Sequence, residues 1–190
     1  MSNPAQITIL AEDSRHARFV RAYLRRKFPH LSQRVIRIAP MASGRGNGAQ
    51  WVLNRYAIEV KAYCTRQAQK WLIVVIDADN NSVQDRLREL HRRLVDSDDE
   101  RLRICRVDTE QISRLIPKWS IETWIVNLNG ETVDEAIPYK RQPRAWDDLI
   151  RPATVELNVW VSAQGGLHDR CTPSLSFAIQ ELRRLIPVQS

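Results

Sequence analysis

Trp71-Leu-Ile-Val-Val-Ile76, followed at once by Asp77-Ala-Asp79-Asn-Asn81, is the stretch whose reading decides the fold. Five aliphatic residues in a row, rich in valine and isoleucine, have no polar face to turn to water. They predict a strand buried on both sides, which belongs in the middle of a parallel sheet covered by helices above and below. The two aspartates follow where the strand runs out, at the carboxyl edge where open α/β sheets collect ligands. Two carboxylates this close repel, and a divalent cation relieves the repulsion. Alternatively, Asp79 or an asparagine caps the next helix. The pair alone leaves both readings open.

Working outward towards the start, Gln6-Ile-Thr-Ile-Leu10 predicts a first strand ending at Ala11-Glu12-Asp13-Ser14, again with carboxylates just past a strand end. Asp13 or Ser14 can cap a helix from about Arg15 to Phe28. Ala17, Phe19, Val20, Tyr23 and Leu24 form its buried side, while Arg15, Arg18, Arg21, Arg25 and Arg26 lie opposite, as a solvated face or a phosphate-binding one. Val35–Ala39 predicts a second strand. The glycine-rich Ser43-Gly-Arg-Gly-Asn-Gly48 matches neither a Walker loop nor a dinucleotide fingerprint. It reads as a flexible loop near the active edge, with Arg45 a candidate phosphate contact. A helix from Ala49 to about Gln69 leads back to the central strand and takes Cys64 as a small apolar core residue.

Downstream, Val83, Leu87, Leu90 and Leu94 give a clean helical period from about Ser82 to Val95, with Arg86, Arg88, Arg92 and Arg93 on the other sides. Asp96–Glu100 reads as a solvated acidic turn and Leu102–Val107 as a fourth strand. Ser120 looks like a helix N-cap, which puts Glu122 in a first turn, where it can simply complement the helix dipole. Beyond Asn127 the pattern weakens. Lys140 and Arg141, in the aromatic-flanked basic run Tyr139–Arg144, are candidates for nucleic-acid backbone contact. Trp146–Ile150 reads as a short helix before Pro152, and Thr172-Pro173 as the cap and first residue of a last helix. The order is β-α-β-α-β-α-β. It predicts an α/β fold: a mainly parallel sheet of four strands, or slightly more, flanked by helices. Residues 1–127 would form the core, and 128–190 an irregular and helical extension packed on it.

With 43% hydrophobic and 27% charged residues among 190, the chain has the composition of an ordinary globular domain. It has no apolar run long enough to span a bilayer and no basic-then-apolar leader, so a cytoplasmic protein is expected. Three cysteines, odd in number and far apart, suggest neither a disulfide framework nor a zinc site. The net charge is +7, and arginine outnumbers lysine 24 to 5. Arginine suits bidentate phosphate contacts, which makes nucleic acid a natural partner; a GC-rich genome also raises arginine everywhere.

Three acidic sites now stand in order: Glu12-Asp13, Asp77 with Asp79, and Glu122 within Ile121-Glu-Thr-Trp124. This pattern, with Pro173-Ser-Leu175 opening the last helix, resembles the TOPRIM fold of topoisomerases, primases and nucleases of the OLD (overcoming lysogenization defect) class. It is most similar to small stand-alone TOPRIM-like proteins of bacterial defence and mobile-element systems. Asp13 stands where many such relatives have glycine, and Asn81 where an extended Asp-x-Asp-x-Asp has its third acid. The resemblance implies a Rossmann-like sheet and a nuclease that cleaves DNA or RNA, with a role in phage defence. Mg²⁺ or Mn²⁺ would be held by Glu12, Asp77 and Asp79, with Asp13 beside them and Glu122 a further ligand or water-positioning group. Arg15, Arg18, Arg45, Arg86, Lys140 and Arg141 would meet the nucleic-acid backbone. Two alternatives remain: a non-catalytic subunit docking on a separately encoded ATPase, and a module that binds nucleic acid or nucleotide at the same edge.

Overall fold

The computed structural model of the chain describes residues 6–30, 35–41, 48–65, 70–103, 105, 107–163 and 166–185. It is an α/β fold. Four strands, β1 (Gln6–Ala11), β2 (Ile36–Ile38), β3 (Lys70–Val75) and β4 (Ile112–Leu115), form one all-parallel sheet in the order β2-β1-β3-β4. The helices are α1 (Ser14–Lys27), α2 (Gly48–Thr65), α3 (Val83–Val95), α4 (Glu100–Arg103), α5 (Ile121–Leu128), α6 (Trp146–Ser162) and α7 (Pro173–Arg183).

The apolar run sits at the centre of the sheet, as expected of a strand without a polar face. Trp71, Ile73 and Val75 point to one side, into a core shared with α1, α5, α6 and α7. Leu72, Val74 and Ile76 point to the other, against α2, α3 and α4. The two-residue period of a strand therefore divides one hydrophobic sequence between two cores. At about 1.5–3 kcal/mol for each large apolar side chain removed from water, this strand is a main source of stability. Residues of α6 and α7 belong to the same apolar cluster as β1 and β3, so the last third of the chain helps build the core.

The fourth strand differs from expectation. Residues 100–103 form a short helix, with Asp99 accepting from the Arg101 amide (3.0 Å), and β4 is the less apolar Ile112-Ser-Arg-Leu115. Its polar residues are satisfied by α7. Ser113 Oγ donates to the Glu181 carbonyl (2.9 Å), and the Arg114 amide donates to the Glu181 carboxylate (2.7 Å). Arg184 Nη2 in turn donates to the Ile112 carbonyl (2.8 Å). These side chains cover an edge that would otherwise present unpaired backbone groups.

Pro152 does not end its helix either: α6 runs through it to Ser162. The missing N–H and ring clash cost about 3 kcal/mol in a helix interior. Pro152 lies on the solvent side, whereas Ile150, Ala153, Leu157, Trp160 and Val161 bury the opposite face. Several apolar side chains at about 1.5–3 kcal/mol each outweigh one proline. At α7, Thr172 makes no side-chain cap. Instead Glu135, 39 residues upstream, accepts from the Ser174 amide (3.2 Å) and hydroxyl, and that hydroxyl accepts from Trp124 Nε1 (2.7 Å). A carboxylate over a helix N-terminus also complements its dipole. Cys64, expected in the core, is exposed.

Candidate functional site

In a parallel sheet all carboxyl ends lie along one edge. Here β1 leads through α1 to its neighbour on one side, while β3 leads through α3 to its neighbour on the other. The crevice between β1 and β3 is therefore a topological switch point, the place where such sheets bind ligands. Glu12 follows β1 directly and Asp77 follows β3 by one residue, so the two acids flank this crevice. They are joined: Glu12 Oε2 accepts from the Asp77 amide (3.0 Å). Burial, and then the Asp77 charge, push the Glu12 carboxyl up to about 7.

Beneath them lies a residue that the sequence reading did not single out. His16 is fully buried, and its ring bridges two carboxylates, Nδ1 to Asp13 Oδ1 (2.8 Å) and Nε2 to Asp77 Oδ1 (2.7 Å). Ionised carboxylates only accept, so an imidazole that satisfies both must donate from both nitrogens and carry a charge. Burial acts to lower the affinity of His16 for its proton. The Asp77 and Asp13 carboxylates outweigh it and hold the imidazole well above its ordinary value. The signal was in the sequence: His16 shares the helix face of Phe19, Val20 and Tyr23 and stands three residues after Asp13.

Asp13 is committed elsewhere. It is the N-cap of α1, with Oδ1 accepting from the Arg15 (2.8 Å) and His16 (3.0 Å) amides as well as from the imidazole. Despite partial burial, the His16 hydrogen bonds hold it below the usual carboxylate range. Asp79 does not cap α3: Ser82 and Asp85 do so in a reciprocal capping box. Asp79 sits in a left-handed turn (φ +53°), held through its carbonyl by Lys118 Nζ (3.1 Å). Its carboxylate is half-exposed on the crevice rim, 3.5 Å from Arg86. Burial pushes the Asp77 carboxyl up while the His16 imidazolium opposes it, and the Asp79 charge adds a smaller upward pressure on both Asp77 and Glu12.

Glu122 is buried in the first turn of α5, one oxygen paired with Arg15; its Oε2 is buried without a hydrogen-bond partner among the described residues. Ser120 precedes that helix without a side-chain cap bond. Lys140 arrives from the loop before α6, half-exposed, with Nζ 3.8 Å from Asp13. Burial works against its charge, but Asp77, Asp13, Glu122 and Glu12 together raise its affinity for a proton. Its ammonium therefore stands on the Asp13 side of the acidic group.

The other expected basic residues divide. Arg18 pairs with Asp147 of α6 (2.6 Å), and Lys27 bonds Ser162 (2.6 Å), so the basic face of α1 partly serves to hold α6. Arg86, expected on an outer side of its helix, is buried, with Nε donating to the Asp77 carbonyl (2.9 Å) and Nη1 to Glu89 (2.6 Å). It braces the turn that carries Asp77. Arg141 is exposed, and Arg45 lies outside the described residues.

Among the described residues no three acidic, histidine or cysteine side chains form a ready metal cage. Magnesium, however, commonly uses one or two carboxylates and completes its shell with water and substrate phosphate. Glu12 and Asp77 supply such a pair, hard in character and under mutual repulsion; Glu122 stands apart from it, paired with Arg15. The donor set fits Mg²⁺ or Mn²⁺. Gly48, the first residue of α2, packs on this corner: a Cβ there would lie 2.5 Å from Glu12 Cγ and 2.8 Å from the Glu12 carbonyl oxygen. Alanine for glycine in a helix ordinarily gains up to about 1 kcal/mol, whereas overpacking against fixed backbone costs about 1–3 kcal/mol. Gly48→Ala is therefore expected to lower the melting temperature, and a thermal melt showing a rise would contradict this contact. No protein-family model, curated protein or solved structure matches the chain in comparisons with each.

Proposed function

We propose that the crevice between β1 and β3 binds Mg²⁺ or Mn²⁺ through Glu12 and Asp77 and hydrolyses phosphodiester bonds in nucleic acid, as in the TOPRIM-like nucleases that the sequence resembles. The observation that carries this reading is the half-buried Glu12 joined to the buried Asp77, two acids that meet at the switch point of a parallel sheet. When bound, the cation supplies Lewis acidity and neutralises charge on the phosphate. Glu12 and Asp77 would hold it, with Asp79 on the rim adding a further negative charge. Glu122, with one oxygen held by Arg15 and the other free, would orient water there. His16 fixes the Asp77 carboxylate from below, and Lys140 beside Asp13 meets the incoming phosphate. Exposed arginines such as Arg141 add sequence-independent attraction that falls steeply with salt.

The test is incubation of the purified protein with supercoiled plasmid and with RNA, in Mg²⁺, Mn²⁺ or EDTA. Cleavage is expected only with metal. Loss of an outer partner of a metal ligand typically costs 10–100-fold, so Asp77→Asn should cost at least ~100-fold. Equal cleavage in EDTA, or by the variant, would overturn the proposal.

A second reading has its own support. His16, Arg15 and Lys140 already compensate much of the acidic charge, which suits a non-catalytic subunit that docks on a separately encoded ATPase or binds nucleotide. A protein inert with every metal and substrate, but retained by such an ATPase, would favour it.

A further inference from the structure

Cys64 and Cys105 are 41 residues apart in the chain, and the fold brings their sulfurs to 3.5 Å. Cys64 is in the last turn of α2; Cys105 follows α4 and packs against the core on that side of the sheet. The third cysteine, Cys171, is elsewhere, with its thiol 3.7 Å from the Thr172 carbonyl. A sulfur–sulfur approach of this kind is a hydrogen bond between thiols, and it already brings together the two atoms that a covalent bond of about 2.05 Å would join. We propose that Cys64 and Cys105 form a reversible intramolecular disulfide, an oxidisable site on the face of the sheet opposite α1 and α6.

The two thiols have different roles. Cys64 is exposed and meets the oxidant first; Cys105 is less accessible. With a small-molecule disulfide as oxidant, the Cys64 thiolate attacks one of its sulfurs, forming a mixed disulfide and expelling one small thiolate. Cys105 gives up its proton to solvent and attacks the Cys64 sulfur, and the second small thiolate leaves. In balance, two protein thiols lose two electrons and two protons, and one small disulfide becomes two thiols. In the reduced protein, burial first and then the neighbouring Cys64 push the Cys105 thiol up to about 12. Capping Cys64 in the mixed disulfide removes the second of these causes just when Cys105 must react.

Closure would pin the end of α2 to the segment leading into β4. Cys105 also lines a cavity of about 570 Å³ with Tyr56, His91, Arg103 and Arg114. Oxidation therefore fixes one wall of that cavity. A cross-link spanning some 40 residues restricts the unfolded chain appreciably, and for a protein of this size a rise in melting temperature of roughly 5–10 °C is expected.

The test uses the whole protein, reduced and then treated with oxidised glutathione, with free thiols counted and tryptic peptides mapped. Three free thiols should fall to one, with a Cys64–Cys105 peptide that disappears on reduction. The melting temperature should rise, and Cys64→Ser and Cys105→Ser should each abolish both changes. Three thiols persisting, a link involving Cys171, or a bond between two molecules would overturn the proposal. Because readouts are thiols and stability, failure here leaves the proposed cleavage activity untouched, and failure of that activity leaves this site standing.

Discussion

Asp77→Ala should be among the most destabilising single substitutions in the chain, at about 3–5 kcal/mol, the typical result of removing one partner from a buried ion pair. The loss comes less from the missing attraction than from what stays behind. His16 is fully buried, and without Asp77 its Nε2 loses its acceptor while Asp13 still favours the charged ring. Asp77→Asn keeps a carbonyl acceptor at that place and should cost far less. Urea unfolding of the two variants separates them, and equal losses would show that His16 carries no buried charge. The pH dependence has a definite sign. A histidine whose folded affinity for protons is raised contributes stability that is fully present below about 6.5, its unfolded value, and lost as pH climbs through the higher folded value. Wild type should therefore lose this contribution on the alkaline side of neutrality.

Glu12→Gln should do the opposite and stabilise the metal-free protein at pH 8. Folding lifts this carboxyl from 4.5 to about 7, so between these values the unfolded chain releases its proton first and stability falls as pH rises. A shift of this size corresponds to about 3 kcal/mol at full ionisation, an upper figure that the remaining solvent contact of Glu12 reduces. Glutamine keeps the shape and removes the charge. At pH 4 the variant and wild type should be nearly equal in urea unfolding; at pH 8 the variant should be the more stable. Adding Mn²⁺ should raise the wild-type melting temperature and leave that of Glu12→Gln unchanged. A variant less stable than wild type at pH 8 without metal would show that the Glu12 charge is already compensated within the chain.

How much of this was legible in the residues depends on what each one advertises. The β3 run could be only a buried strand, and Glu12 and Asp77 followed predicted strands closely enough to be placed at one edge. Strand β4 was hidden because Ile112-Ser-Arg-Leu115 has a polar middle, and what makes that middle tolerable is Glu181, which the local sequence does not reveal. Leu102–Val107 has the stronger alternation of apolar residues and so reads as the strand. Pro152 carried a strong local stop signal that the burial of one whole helix face overrode. Asp79 was placed correctly along the chain but turns half to solvent, because a left-handed turn re-aims it. The Cys64–Cys105 approach has no local signature at all, since only the packing of α2 beside α4 brings 64 and 105 together.

The bond from Ser174 to Glu135 has a consequence for how the crevice comes into being. Glu135 belongs to the loop that carries Lys140, yet the helix end it grips is translated 39 residues later. The loop that places Lys140 beside Asp13 therefore has its far anchor in the last helix, and the crevice is complete only when α7 is docked.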